Sequence, residues 1–197
     1  MDKQDLLFYI IVAFVAMFCL RIYYESDAFN LKCIVSNKDG NTYCVRERAK
    51  MELAADLLAS VAEKMKRMVA YMAEKHPDDD RVKMLVKGFN PKKICETLPT
   101  STLTAYSENK GEKIAFCLNK RKNETKLIDL NTLTFVALHE LSHVMTKSVG
   151  HKQDFWINFK FMLENAKEAN IYNPVDYKKA PQEYCGMNIH DNPYFDL

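Results

Sequence analysis

Val136-Ala137-Leu138-His139-Glu140-Leu141-Ser142-His143, followed by Gly150-His151-Lys152-Gln153-Asp154-Phe155-Trp156, is the stretch that decides how this chain is read. His139 and His143 are four positions apart. On a helix both imidazoles therefore leave the same face about 6 Å apart, within reach of a single zinc ion. Glu140, beside the first imidazole, is placed to act as general base on a metal-activated water. Phe135 to Leu138 on one side, with Leu141, Val144 and Met145 on the other, predict a buried helix. Two imidazoles and a carboxyl in a core helix are costly unless something satisfies them. The plain alternative is a pair of hydrogen-bonded core histidines.

A catalytic zinc site has three protein ligands and an open fourth position. His151, just beyond the Gly150 break, is the favoured third ligand because the chain can turn back there. Glu164, on the next helix, is the alternative, and His190 in the tail is more distant.

Working outward, the helix carrying the motif is capped by Asp129 or Asn131 and runs to about Lys147, with Gly150 as a stop. Asp154 is placed to cap a second helix, whose apolar stripe is Phe155, Phe159, Met162, Leu163 and Ala166. Upstream, residues 46–76 read as a long helix with Leu53, Leu57, Val61, Met65, Met68, Val69 and Met72 at helical spacing, ended by His76-Pro77. Asp80 to Lys87 form a shorter helix before Gly88. Thr102–Tyr106 and Glu112–Leu118 read as a hairpin around Glu108-Asn109-Lys110-Gly111. The tail from Asn173, rich in Tyr and Pro, shows little regular pattern and is expected to wrap the domain. In it, Tyr184 is a candidate for polarising the scissile carbonyl and Met187 for a hydrophobic floor, with a packed turn as the simpler use.

The chain has 197 residues, 48% of them hydrophobic, with 28 Lys+Arg against 26 Asp+Glu. That composition excludes disorder and a many-pass membrane protein. The near-neutral charge argues against a nucleic-acid partner, and Lys120-Arg121-Lys122 is most simply a solvated loop. The hydrophobic share is uneven: Leu6 to Leu20 is an unbroken apolar run, extended by Arg21, Ile22, Tyr23 and Tyr24. Arg21 can snorkel and the Tyr pair suits a membrane interface, so residues 1–24 read as an uncleaved single-pass anchor in a lipid bilayer. The acidic leader and the exit Cys19-Leu20-Arg21-Ile22 argue against a cleaved signal peptide. Residues 25–45 then read as a linker and 46–197 as one domain. Lys3 ahead of the span, against Arg21 and Lys32 behind it, leans towards a cytoplasm-facing body. Among six cysteines, Cys33 and Cys44 bracket a turn and can pair in an oxidising compartment, but buried thiols are the favoured reading. Asn123-Glu124-Thr125 is a glycosylation sequon, meaningful only for a lumenal body.

The stretch 136–143 with Gly150-His151 and Phe155-Trp156 resembles the zincin core of the SprT and WLM metallopeptidases. In those families the H-E-x-x-H helix is followed by a Gly-His pair, and an aromatic residue three or four positions later packs the next helix. The resemblance implies zinc ligands His139, His143 and His151, with Glu140 as catalytic base. It also implies a small zincin-like (minigelatinase-like) α+β domain, with an active-site helix and a short sheet. A strand beside that helix would pair with an extended protein or peptide substrate. Residues 112–118, with Ile114 and Phe116, are the candidate strand. The spacing before Gly150-His151 and the membrane segment depart from the soluble members. The whole arrangement is similar to uncharacterised proteins encoded by large DNA viruses.

Two readings follow. One is a membrane-anchored zinc endopeptidase with a single catalytic Zn²⁺. The other is a non-catalytic structural or assembly component of a membrane-containing particle, such as a minor capsid or membrane protein of a large DNA virus, partnered by other particle or capsid proteins. A purely structural zinc needs four closed ligands and no base, which favours the first.

Overall fold

Helix Leu130–Val144, the fourth among the described residues and here α4, is buried on nearly every side. A helix apolar all round has no solvent face to offer, so the other elements gather around it. Asp129 caps it as expected, its carboxylate accepting from the Thr132 N–H at 2.9 Å. The computed structural model describes residues 3–26, 30–121, 124 and 126–196. Asn123 and Thr125 of the sequon, and Lys122 of the basic run, lie outside these.

Before α4 come α1 (Lys3–Glu25), β1 (Lys32–Val35), β2 (Thr42–Val45), α2 (Met51–Lys75), α3 (Asp80–Gly88), β3 (Ile94–Glu96), β4 (Ala105–Glu108) and β5 (Lys113–Phe116). After it come α5 (Gln153–Glu168), β6 (Gln182–Tyr184), β7 (Met187–Ile189) and a 3-10 turn at Pro193–Phe195. The chain is thus a mixed α+β protein with small sheets.

α2 lies against α4, and its packed face differs from the expected stripe. Ala54, Ala55, Leu58, Ala59, Ala62, Met65, Met68 and Met72 are buried, whereas Leu53 is 52% exposed. The alanines lie on the inner face, where short side chains let neighbouring backbones approach. α5 crosses α4 on another side through Phe155, Phe159, Met162, Leu163 and Ala166, all fully or nearly fully buried. Its N-cap is Lys152, not Asp154. Asp154 sits in the first turn, where its Oδ1 accepts from the Ser148 hydroxyl at 2.7 Å.

The main sheet has the order β3-β5-β4, with β3 parallel and β4 antiparallel to β5. β5 is therefore the central strand. Its run Ile114-Ala115-Phe116 is wholly buried, as a strand covered on both faces must be. The free-standing edge on the α4 side belongs to β4.

Residues 25–45, expected to be a linker, instead carry the hairpin β1–β2, in which Cys33 faces Cys44. The hairpin lies on the β3 side of the sheet. Glu96 of β3 is fully buried there and accepts from the Arg46 N–H at 2.8 Å, and it pairs with the Arg46 and Arg48 guanidinium groups. The tail, expected to be irregular, forms the hairpin β6–β7, whose turn donates from Cys185 N to Asn119 O at 3.0 Å and from Gly186 N to Lys120 O at 2.8 Å.

The expectation of reduced thiols is overturned twice. Cys33 is bonded to Cys44, and Cys117 to Cys185. The first bond joins facing residues of one hairpin. The second joins the residue after β5 to the tail, a pairing that only the tertiary fold brings about. Cys19 and Cys95 take part in neither disulfide.

α1 contains a window, Gln4–Tyr24, long and apolar enough to cross a membrane, with none of it buried against the rest of the chain. Its last carbonyls are braced from the body side. Asn30 Nδ2 donates to Tyr23 O and Tyr24 O at 3.1 and 3.2 Å, and Thr100 Oγ1 donates to Tyr24 O at 3.3 Å.

Candidate metal centre

Helical spacing puts His139 and His143 on one face of α4. The chain then leaves α4 at Met145, turns through Gly150 (φ 80°) and returns His151 to the same point. The three Nε2 atoms form a triangle with sides of 3.2 Å (139–143), 3.2 Å (143–151) and 2.9 Å (139–151). Two nitrogens each about 2.0–2.1 Å from a tetrahedral zinc lie about 3.3–3.4 Å apart. The triangle is close to that size, and three imidazole nitrogens aimed at one point cannot satisfy one another as donors and acceptors. The triad can hold a metal ion.

Electrostatics favour the ligating form. Burial, reinforced by His143 and His151, lowers the pKa of His139 to about 3. Burial, with His151 and Lys110 adding to it, lowers that of His143 to about 4. Both rings are neutral at pH 7 and offer a lone pair. Glu140, only 4% exposed, has its carboxyl pKa lifted by burial to about 8.

The floor under the triad is aromatic. Phe155 stacks on His143 with ring centroids 4.2 Å apart and stands 4.8 Å from both His139 and His151. Phe159 meets His139 edge-on at 5.1 Å, and Trp156 lies over His151 at 5.7 Å. These rings fix the imidazole planes and exclude water from one side.

A lysine outside the motif fastens this geometry. The β4–β5 turn carries Asn109, Lys110 and Gly111, all at positive φ, and throws the Lys110 ammonium across the end of α4. Lys110 Nζ donates to Thr146 O at 2.6 Å, Ser148 O at 2.9 Å and His143 O at 3.4 Å. A cation on the last carbonyls of a helix is favourable, and here it also holds the segment leading to His151. The only advance signal was the turn sequence itself; nothing local says that its lysine reaches α4. The turn can lie this close because Gly88 and Gly111 have no side chains. A Cβ on Gly88 would meet Lys110 O at 2.4 Å and a Val144 methyl at 2.8 Å.

Several expected site residues lie elsewhere. Glu164 is exposed on α5 and lies outside the triad, and His190 is exposed in the tail. Ile114 and Phe116 are buried in central β5 with both edges paired, so they cannot receive a substrate strand; β4 has the free edge. Met187 is 49% exposed against Thr104 and is no floor; Phe155 has that place. Tyr184 is buried, and its hydroxyl donates to Thr104 O at 3.1 Å, which commits it to holding the tail on β4. Burial and the nearby Glu140 charge both raise its pKa.

Comparison with known proteins agrees with this arrangement. The WLM domain matches residues 37–193. An uncharacterised protein, R325, of Acanthamoeba polyphaga mimivirus is 30% identical over 188 residues, covering 93% of each chain. Uncharacterised protein 136R of Invertebrate iridescent virus 6 is 33% identical over 81 residues, 41% of this chain and 44% of that one. Uncharacterised protein 042R of Invertebrate iridescent virus 3 is 31% identical over 99 residues, 50% and 57% respectively. No solved structure matches. With its histidine triad inside the matched span, the chain belongs to the WLM domain family, alongside uncharacterised proteins of large DNA viruses.

Proposed function

We propose that this chain is a zinc-dependent endopeptidase held at a membrane by α1. The observation that carries the reading is the Nε2 triangle of His139, His143 and His151 with a buried glutamate next to the first ligand. Zinc bound there would supply Lewis-acid activation of water and of a peptide carbonyl. The residues of the chain do the rest. Three imidazole ligands would leave one position open for reactants, unlike a closed structural site with four ligands. Glu140 takes the proton from water and passes it to the leaving amine; a cation held at the triad would favour the carboxylate needed for the first transfer, and the burial that lifts its pKa to about 8 favours the neutral acid that makes the second. The free edge of β4, beside α4, offers main-chain donors and acceptors to an extended substrate, replacing the 112–118 candidate.

Membrane attachment is supported by the exposed apolar helix and its Tyr23-Tyr24 end. The two disulfides support an oxidising surrounding for the body, against the cytoplasm-facing orientation that Lys3, Arg21 and Lys32 suggested. The viral relatives support a particle membrane as the location.

The test is cleavage of a broad set of unfolded proteins by the zinc-loaded chain. Glu140→Gln is expected to lose turnover by at least about a hundredfold while keeping one zinc per chain. His151→Ala is expected to lose the metal as well, and Glu164→Ala to keep it. Wild type cleaving nothing, indistinguishable from Glu140→Gln, would sink the peptidase reading in favour of an assembly role.

A further inference from the structure

Beside the third ligand, on the outer side of α5, lies a cavity of about 390 Å³ whose apolar walls are Trp156, Ile157 and Pro193. It falls within the roughly 300–1,000 Å³ typical of ligand pockets. Trp156 and Ile157 are large apolar residues left 42% and 55% exposed, and Val149, two residues before His151, is 81% exposed. Trp156 and Ile157 share one pocket wall, and exposed apolar groups gathered in one place mark a binding surface more often than scattered ones do.

The wall and the metal centre share a residue. The Trp156 ring lies 5.7 Å from the His151 ring at an interplanar angle of 31°, so the pocket begins one aromatic ring away from a ligand of the triad. An extended chain advances about 3.3 Å per residue. A substrate side chain close to the cleaved bond would thus have the Trp156 wall within a few residues' reach.

Charge at the rim says what the pocket takes. Lys160, Asp191 and Asp196 line it. Lys160 Nζ donates to the Asp196 main-chain carbonyl, and Lys178 pairs with Asp191 at 3.1 Å and with Asp196 at 2.9 Å. Among the described residues two cations and two carboxylates cancel, which leaves no net charge there to receive an ionic group. We infer that this cavity is a substrate subsite that selects a large apolar side chain, aromatic or branched aliphatic, at one fixed position near the scissile bond. The inference rests on the peptidase reading for what the ligand is, but its test has a separate readout.

Trp156 is the only tryptophan of the chain, so its emission reports directly on the pocket. Zinc-loaded Glu140→Gln is titrated with a set of ten-residue peptides in which one position carries Phe, Leu, Gly or Asp. Phe and Leu peptides are expected to give a saturable blue shift at one register position, with none for Gly or Asp. The added substitution Ile157→Asp, at an exposed site, is expected to abolish the shift. In catalytically intact protein, Ile157→Asp is expected to lower the Phe-to-Gly ratio of kcat/KM about ten- to a hundredfold. An emission that no peptide changes, or that all change equally, overturns the subsite. Cleavage without side-chain preference overturns it too while leaving the peptidase reading intact. A selective emission change in a protein that cleaves nothing supports the pocket and removes the peptidase reading.

Discussion

His139 and His143 stay unprotonated near neutrality because burial penalises the imidazolium, while the same burial keeps Glu140 protonated. These opposite shifts give the metal-free protein a distinctive pH response. Below the unfolded histidine value of about 6.5, the unfolded chain takes up protons that the folded chain refuses, so stability falls as pH drops. Glu140 acts in reverse, since its folded value of about 8 lies above the unfolded one. Its contribution is complete below about pH 4.5 and is lost as pH rises towards 8. Denaturation midpoints of chelator-treated protein from pH 5 to 8 are expected to pass through a maximum, and Glu140→Gln should remove the decline on the alkaline side. A monotonic rise to pH 8 would contradict the burial of Glu140. That His139 and His143 share one face was legible in the sequence, because four-residue spacing on a helix is local geometry. For Tyr184 and Met187 the simpler reading, a packed turn, fits, but the partner they pack on, Thr104, comes from sequence some 80 residues away and could not be named.

The β4–β5 turn shows how an element serves a site that it does not belong to. Lys110 is a positioning residue. Lys110→Met should leave secondary structure intact but loosen the segment between His143 and His151, weakening zinc affinity about tenfold in a competition titration. An unchanged affinity would reduce Lys110 to a simple helix cap. Gly88→Ala forces a methyl against Lys110 O and Val144, and is expected to cost about 1–3 kcal/mol in a denaturant titration. Most helices were readable from apolar spacing, and the sheet was readable in part. The all-apolar run Ile114-Ala115-Phe116 announces a strand, but its completeness is what makes it central and therefore unavailable to substrate. The free edge falls to Ala105–Glu108, a strand that the sequence placed at Thr102–Tyr106 without marking it as the open edge. Leu53 was overvalued and Ala54, Ala55 and Ala59 undervalued for a related reason: close approach selects small residues, and a periodicity of bulky ones does not register them.

Across the whole molecule, Cys117–Cys185 closes a loop of 68 residues and pins the tail hairpin to the end of β5. Loop-closure entropy assigns such a link about 4 kcal/mol. Cys185→Ser, or reduction of the wild type, is therefore expected to lower the denaturation midpoint by a corresponding amount. An unaffected midpoint would show that the tail holds without the bond. Pairing over that distance could not be read from spacing, whereas Cys33 and Cys44 at least flank one turn. The braced join between α1 and the body has a different kind of consequence. The stretch from Glu25 to Lys32 spans at most about 25 Å, and Asn30 and Thr100 already draw the helix end inward. With α1 in a bilayer, the triad cannot diffuse through a volume; it patrols a thin layer over the lipid. Encounter frequency is then governed by how many chains per unit area stand within that layer. A partner only a few nanometres farther out is out of range of the triad, whatever its sequence.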